Sequence, residues 1–519
     1  MPDQNSPVQK SKRGLLRFIF SRTMLITLLL LFNFALIFFL IFELLQGLPL
    51  LFGSMVIFTA LMELIILNSR EDIKVKLTWS ILTAVFPLVG AALYFWIRYD
   101  LGNRLIKRRV ISSIESSKPF IPKQQEVFEK LQDGDPALRS LARYLNDHAG
   151  APVYDNCAVT YFPLGEDKFR EMLVQLEKAE KYIFMEYFIV SEGHMWNSIL
   201  AILERKAASG VEVRLLYDGM NAFTNLPYSY PNQLQKKGIA CKMYAPVRPF
   251  VSSHYNNRDH RKILVIDGHT AFTGGINLED CYINREVRYG HWKDTAVMIQ
   301  GAAVQSFTLL FLQMWNSTEA NKEFAPYLEV PRTQLSAPGF VIPYGDSPID
   351  QEQVGKMVYL HLLNQAQDYI WIMTPYLILD PELSTALQFA GKRGVDVRLI
   401  LPHIPDKKTA FALAKNHYPE LLEAGVKIFE YTPGFVHAKV VLCDDLHAVV
   451  GTINLDYRSL YHHFECAAYL YGVPALSDIH RDFTETEAKS QQITLEDVKK
   501  RSLPSRLLGR LLNVFAPLM

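Results

Sequence analysis

Three long apolar stretches open the chain, at roughly Met24–Leu45, Gly47–Leu67 and Leu77–Ile97. Each is close to the ~20 residues a helix needs to cross a bilayer. They predict a membrane anchor of two to three transmembrane segments over residues 23–99. Ahead of it, Lys10, Lys12, Arg13, Arg17 and Arg22 make residues 1–22 a basic tail for the cytoplasmic side. Trp79, Tyr94, Trp96 and Tyr99 lie near the ends of the third stretch, as an interfacial aromatic belt would. Glu43 and Glu63 fall within or at the ends of the first two, where an ionisable group is costly away from the interface. Charge conflicts with three full crossings. Arg70, Lys74 and Lys76 precede the third stretch, and Arg98, Arg104, Lys107, Arg108 and Arg109 follow it. Either one segment is re-entrant or the charge rule is broken once.

Beyond residue 150 the pattern becomes short apolar strands alternating with amphipathic helices, and it occurs twice. Tyr182-Ile183-Phe184-Met185 returns as Tyr369-Ile370-Trp371-Ile372, and Gly210-Val211-Glu212-Val213-Arg214-Leu215 as Gly394-Val395-Asp396-Val397-Arg398-Leu399. Between the first pair, Ile199, Leu200, Ile202 and Leu203 have helical spacing over Trp196–Ala208, and Gly210 stands where a C-cap glycine belongs. The fold class is therefore α/β, two similar halves of sheet flanked by helices. The expected divisions are a linker over 100–150, halves at 151–335 and 336–490, and a basic amphipathic tail over 491–519. In that tail Leu507, Leu508, Leu511, Leu512 and Phe515 mix with Arg506 and Arg510. Such a helix lies on a membrane surface or packs on the body of the protein.

Composition narrows the chemistry. Lys+Arg (54) and Asp+Glu (53) nearly cancel, so no basic footprint points to a nucleic-acid partner. The five cysteines include no C-x-x-C pair, and neither a disulfide framework nor a metal site is indicated. No P-loop is present.

The candidate chemistry is also duplicated. His260-Arg261-Lys262 is followed, after four residues, by Asp267, and His437-Ala438-Lys439 by Asp444 at the same offset. Gly275/Asn277 and Thr452/Asn454 follow at matching distances. On a strand, residues two apart share a face, so each His and Lys point into one cleft. Asp267-Gly268 is a strong hairpin signal and Asp444-Asp445 a weaker one. Two imidazoles, two ammonium groups and two amides suit attack on a phosphodiester, with one active site assembled from both halves.

The paired H-x-K-x4-D (HKD) motifs resemble the phospholipase D superfamily over roughly residues 150–490, and more narrowly the bacterial cardiolipin synthases. Arg258-Asp259-His260-Arg261-Lys262 with Val265-Ile266-Asp267-Gly268 is similar to their first motif. Asn454-Leu455-Asp456-Tyr457-Arg458-Ser459 with Phe464-Glu465 is similar to their second. Trp79 through Phe86-Pro87-Leu88-Val89-Gly90 and the ending Arg506 to Leu518 resemble theirs too. Asp259 and His463 stand where that family pattern leads one to expect asparagine.

The resemblance implies a multi-pass bacterial cell-membrane transferase of phospholipid biosynthesis. It would make cardiolipin and glycerol from two phosphatidylglycerol molecules through a phosphohistidine. Water or serine as acceptor would instead give a phospholipase D hydrolase or a phosphatidylserine synthase. His260, Lys262, Asp267, His437, Lys439 and Asp444 form the implied catalytic set. His260 is the nucleophile and His437 the acid and then base; near-symmetry allows the reverse. Asp267 and Asp444 are read as structural, since their side chains face away. Lys262, Asn277, Lys439, Thr452 and Asn454 are expected on the phosphate, with the Gly275 backbone assisting. By family offset Glu465 should orient His437, leaving Asp294 for His260. No cofactor or metal is expected, because two fixed ammonium groups can take a divalent ion's place.

Overall fold

The structure, a computed structural model, describes residues 49–69, 71–99, 104–131, 134–246, 257–329, 335–350 and 352–518, with isolated helical positions at 31, 35, 38 and 39. The basic tail and, those positions aside, the stretch Met24–Leu45 with Glu43 lie outside the described residues. The chain divides into two compact units, one holding the N-terminal helices and the other nearly everything from Leu105 onward.

In the first unit, α1 (Pro49–Leu67) precedes α2 (Ile73–Val85) and α3 (Pro87–Tyr99). The third apolar stretch is thus two helices. Pro87 has no amide hydrogen, and its ring disfavours helical backbone at Phe86, which adopts φ −131°, ψ 71°. There the chain reverses. Trp79 meets Tyr94 edge-on with centroids 5.5 Å apart. Gly90 lies so close to the Leu82 and Thr83 backbone that a Cβ would come within 2.8 Å. Contacts between residues equidistant from the break define an antiparallel hairpin. Each arm has 13 residues, about 20 Å, against a hydrocarbon core of about 30 Å. Among the described residues no helix is long and apolar enough to cross a membrane, so the expected crossing by Leu77–Ile97 gives way to an apolar hairpin. Lys74, Lys76 and Arg98 stand at one end of that hairpin.

The second unit contains the repeat. Its first half supplies β1 (Ala158–Phe162), β2 (Tyr182–Tyr187), β3 (Glu212–Asp218), β4 (Ala240–Tyr244), β5 (Arg258–Asp259), β6 (Lys262–Ile266), β7 (Thr270–Gly274), β8 (His291–Lys293) and β9 (Ala296–Gln300). The second supplies β10 (Phe340–Asp346), β11 (Tyr369–Met373), β12 (Asp396–Pro402), β13 (Lys427–Tyr431), β14 (Gly434–Val436), β15 (Val440–Cys443), β16 (His447–Gly451), β17 (His463–Tyr471) and β18 (Ser490–Ile493). One sheet runs β1-β9-β7-β6-β2-β3-β4 and the other β10-β17-β16-β15-β11-β12-β13-β18. The two orders agree position by position until β18 is added. β2-β3-β4 and β11-β12-β13 are parallel, while β6 and β15 run antiparallel beside β2 and β11.

A single core joins both sheets. Phe184 and Val265 of the first share it with Trp371 and Leu442 of the second, together with Phe311 and Phe483 from the helices Val304–Trp315 and Ala475–Glu487. Separate cores lie under the remaining helices, around Trp196, Ile199 and Leu203 for the first sheet and Leu362, Leu387 and Leu421 for the second. The predicted helix is His194–Ala208, and Gly210 beyond it has φ +94°. The two halves are therefore one packed body, which fixes their motifs relative to each other.

The C-terminal helix Leu503–Phe515 packs on the helix Lys408–Glu423, with Gly509 set against Asn416. Ala516 is buried with Ile378, Leu413 and Tyr457. Of the two readings of the tail, packing on the body is the observed one, although Leu507 and Leu511 remain exposed.

Candidate active site

Each H-x-K motif lies at the start of its long strand, where the chain leaves a short strand that pairs with the opposite half. β5 pairs in parallel with β17, His463 opposite Arg258 and Phe464 opposite Asp259. The His260 amide then donates to the Phe464 carbonyl at 2.9 Å. β14 pairs with β8, Val436 opposite Lys293, and the His437 amide donates to the Lys293 carbonyl at 2.7 Å. Each histidine is therefore delivered to the other half's carboxylate. His260 Nδ1 lies 2.9 Å from both Glu465 oxygens, and His437 Nδ1 lies 2.6 Å from Asp294 Oδ2. The expected assignment, Glu465 to His437 and Asp294 to His260, is corrected: the pairs are crossed. The offset argument failed because it assumed that each half orients its own imidazole.

A carboxylate at Nδ1 holds the ring proton there and leaves Nε2 with its lone pair. Both imidazoles are nine-tenths buried. Burial first, then Lys262, His463, Lys439 and His437, push His260 well below its ordinary value. Burial and Lys439 lower His437 to about 4, while Asp294 pulls it back up. Lys262 falls to about 8 and Lys439 to about 7, again through burial first. Each histidine feels the other motif's lysine, so the four groups share one field. Burial raises Glu465 to about 8 against the pull of Lys262.

The remaining expected site residues divide. Asp267 accepts the backbone amides of Glu180, Lys181 and Tyr182 at 2.7–2.8 Å, and Asp444 those of Gln367, Asp368 and Tyr369 at 2.8–3.0 Å. Both sit in left-handed turns, at φ +52° and +50°. They tie a hairpin to the start of β2 or β11 and do not belong in a catalytic set. Asn277 accepts from the Ile189 amide at 3.0 Å and gives one of its two N–H groups to the Tyr282 hydroxyl at 2.7 Å, contacts that fix the orientation of its side chain. Thr452 Oγ1 donates to Glu465 and receives the Cys466 amide at 3.0 Å, making it a support for the carboxylate. Asn454 is buried, and among the described residues its Oδ1 has no hydrogen-bond partner. Lys262 Nζ donates to the His260 carbonyl at 2.5 Å, and Lys439 Nζ lies 2.9 Å from His437 Nδ1. Gly275 is pressed against Asp294, whose Oδ1 receives the Thr295 amide at 2.8 Å.

Several residues here have no motif signature. Lys168, from the helix Gly165–Glu177, is buried with Nζ 3.2 Å from the Tyr187 hydroxyl, and burial lowers it to about 7. Behind His260, Arg258 meets Asp218 at 3.3 Å, while Arg261 meets Glu186 at 2.7 Å and Asp259 at 3.4 Å. This buried network secures the strand that carries the histidine. An aspartate at 259 in place of the expected asparagine gains a charged partner in Arg261. Arg258, Asp259 and Arg261 belong to the motif around His260, whereas Lys168, Glu186 and Asp218 come from a helix, β2 and β3, far along the chain.

A family model described as "Cardiolipin synthase, PLD-like domain" matches residues 172–315 and 359–486. An uncharacterized protein of Streptococcus mutans is 53% identical over 88% of this chain and 99% of its own length. The cardiolipin synthases of Halalkalibacterium halodurans and a Geobacillus strain are each 33% identical, over 88% and 92% of this chain and 91% and 95% of theirs. Among solved structures, the phosphatidylserine synthase of Haemophilus influenzae superposes with a TM-score of 0.55 at 16% identity, over 74% of this chain and 98% of its own.

Proposed function

The chain belongs to the cardiolipin synthase family of phospholipase D-like phosphatidyltransferases, and from that premise we propose that it joins two phosphatidylglycerol molecules into cardiolipin and glycerol through a phosphohistidine on His260. Nε2 of His260 attacks phosphorus, the bond to the departing glycerol oxygen breaks, and His437 gives that oxygen a proton. A hydroxyl of the second phosphatidylglycerol then loses its proton to His437 and attacks the same phosphorus, freeing His260. One diester replaces another, so no nucleotide is consumed. The observation that carries this reading is the crossed pair of imidazole–carboxylate contacts beside two buried lysines. Both rings have Nδ1 committed and Nε2 available. The assignment of roles follows from their surroundings. Burial and the neighbouring Lys262, His463, Lys439 and His437 push His260 well below its ordinary value even with Glu465 at its Nδ1, which suits a nucleophile that must be neutral. His437 has Asp294 to favour its protonated form. A bound phosphodiester adds negative charge to the field of Lys262 and Lys439, offsets their repulsion and raises His437 toward working pH.

The two lysines have to be protonated to balance charge on the phosphate in the transition state. In the free enzyme they lose that proton between about 7 and about 8, so kcat/KM is expected to fall as pH rises through that window. A bound anion favours the ammonium form. The alkaline limb of kcat, which reports the complex, should lie at higher pH than that of kcat/KM. Initial rates from pH 6 to about 10 at low and saturating substrate test this. Coincident limbs would remove the lysines from the phosphate.

Membrane association belongs to the same proposal. Ile57, Leu61 and Leu64 of α1 and Ile73, Leu77 and Val85 of α2 are all more than half exposed, an apolar surface with basic residues at one end of the hairpin. A hairpin that enters and leaves by one leaflet satisfies both the charge rule and the arm length.

The deciding assay supplies detergent-solubilised protein with phosphatidylglycerol alone, in chelator. Cardiolipin and glycerol in equal amounts are expected. Phosphatidic acid as the sole product would make the enzyme a hydrolase, and product formed only when serine is added would make it a phosphatidylserine synthase.

A further inference from the structure

His463 has no part in the chemistry above. It begins β17, two residues before Glu465, and is 8% exposed. Among the described residues neither ring nitrogen has a hydrogen-bond partner, which is uncommon for a buried polar group. Its Nδ1 lies 3.8 Å from Glu465 Oε1, too far for a hydrogen bond. Its ring centroid is 5.5 Å from that of His260. One donor atom from each of His260, His463 and Glu465 lies within 4.8 Å of the other two.

Two imidazoles and a carboxylate match the preferences of zinc, with a fourth position left open; magnesium and calcium favour all-oxygen sites. Bonds of about 2.0–2.1 Å in tetrahedral geometry hold donors roughly 3.3 Å apart. The 2.9 Å and 3.8 Å edges from Glu465 Oε1 to His260 and His463 bracket that value.

We propose that His260, His463 and Glu465 form a zinc site that switches the enzyme off. The ion takes Nδ1 of His260. A zinc–nitrogen bond forms there, the Nδ1–H bond breaks, and the proton is carried on Nε2 instead, with no net proton released. Nε2 then has no lone pair with which to attack phosphorus. Lys262 opposes a dication at this point, which weakens binding and keeps the switch reversible. The inhibitory half rests on His260 being the nucleophile; the site itself does not.

The test uses the full chain in detergent, with zinc chloride titrated calorimetrically and cardiolipin formation followed in parallel. One zinc per chain is expected, with turnover falling as the site fills and returning when chelator is added. Magnesium should do neither. His463→Asn and His463→Gln should each weaken zinc binding more than about tenfold and shift inhibition equally, with circular dichroism confirming the fold. X-ray absorption on the unmodified protein should show two imidazole ligands, and this decides the matter if neither variant folds. Absence of zinc binding, or equal binding in folded variants, overturns the site. Zinc that binds through His463 yet leaves turnover unchanged overturns the switch and His260 as nucleophile together, which a failure to bind would not.

Discussion

Cardiolipin formation by His260→Ala is expected to fall at least about 10⁴-fold, and that by His437→Ala by about 10²–10⁴-fold, with both proteins folded. The two losses differ in kind. His260 makes the bond to phosphorus, and alanine leaves no substitute at a site where water would have to attack unaided. His437 moves protons, so its loss matters in proportion to the basicity of the leaving group. A phosphatidyl ester of a nitrophenol needs no proton to depart. With that substrate, His437→Ala should still load the phosphatidyl group onto the protein in a burst of nitrophenolate and then stall, whereas His260→Ala should show no burst. The protein-bound label should be acid-labile and base-stable, as a phosphoramidate is. A labelled His260→Ala protein would exchange the two roles. Label on neither variant, with full label on the unmodified enzyme, would mean that both imidazoles are needed before any bond forms.

Much of this site was legible from the chain alone, and the missing parts share a cause. The repeat predicted two sheets of one topology, because an apolar strand, an amphipathic helix and a glycine at φ > 0 are local signals. Gly210 and Gly394, at φ +94° and +92°, are where the pattern put them. Hairpins were found at Asp267-Gly268 and at Asp444-Asp445, the second without glycine and with both residues in the left-handed region, at φ +50° and +54°. The crossing of the halves was not legible. β5 has two residues and β8 and β14 three each, too short for any periodicity, yet they decide which carboxylate meets which histidine. Nor does spacing reveal that Asn277 donates to Tyr282 and Thr452 to Glu465. A donor in a motif looks the same whether its hydrogen bond goes to substrate or to protein. The third apolar stretch is a different case, since its flanking charges already set a re-entrant segment beside a full crossing. Its hydrophobicity was read as length, whereas Pro87 in its middle is a break that sequence alone could have flagged.

The crossed carboxylates make the second large prediction. Glu465→Gln and Asp294→Asn should each lower turnover by about 10²–10⁴-fold, because an amide at Nδ1 can hold the wrong tautomer and present N–H where the lone pair is needed. The informative quantity is coupling. A carboxylate acts through the histidine it touches, so its loss adds little once that histidine is gone. His260→Ala/Glu465→Gln should therefore be about as slow as His260→Ala alone, and His437→Ala/Asp294→Asn about as slow as His437→Ala alone. The other two combinations should be slower than either parent. With the nitrophenol substrate, Asp294→Asn should keep its burst and Glu465→Gln should lose it. Coupling of Glu465 to His437 instead would mean that each half serves itself, and the exchange of short strands would then have no catalytic consequence. Strong coupling in the crossed pairs would mean that neither half can act alone. Each contributes a histidine whose working tautomer depends on the other, and a duplication in which one half decayed would silence both steps.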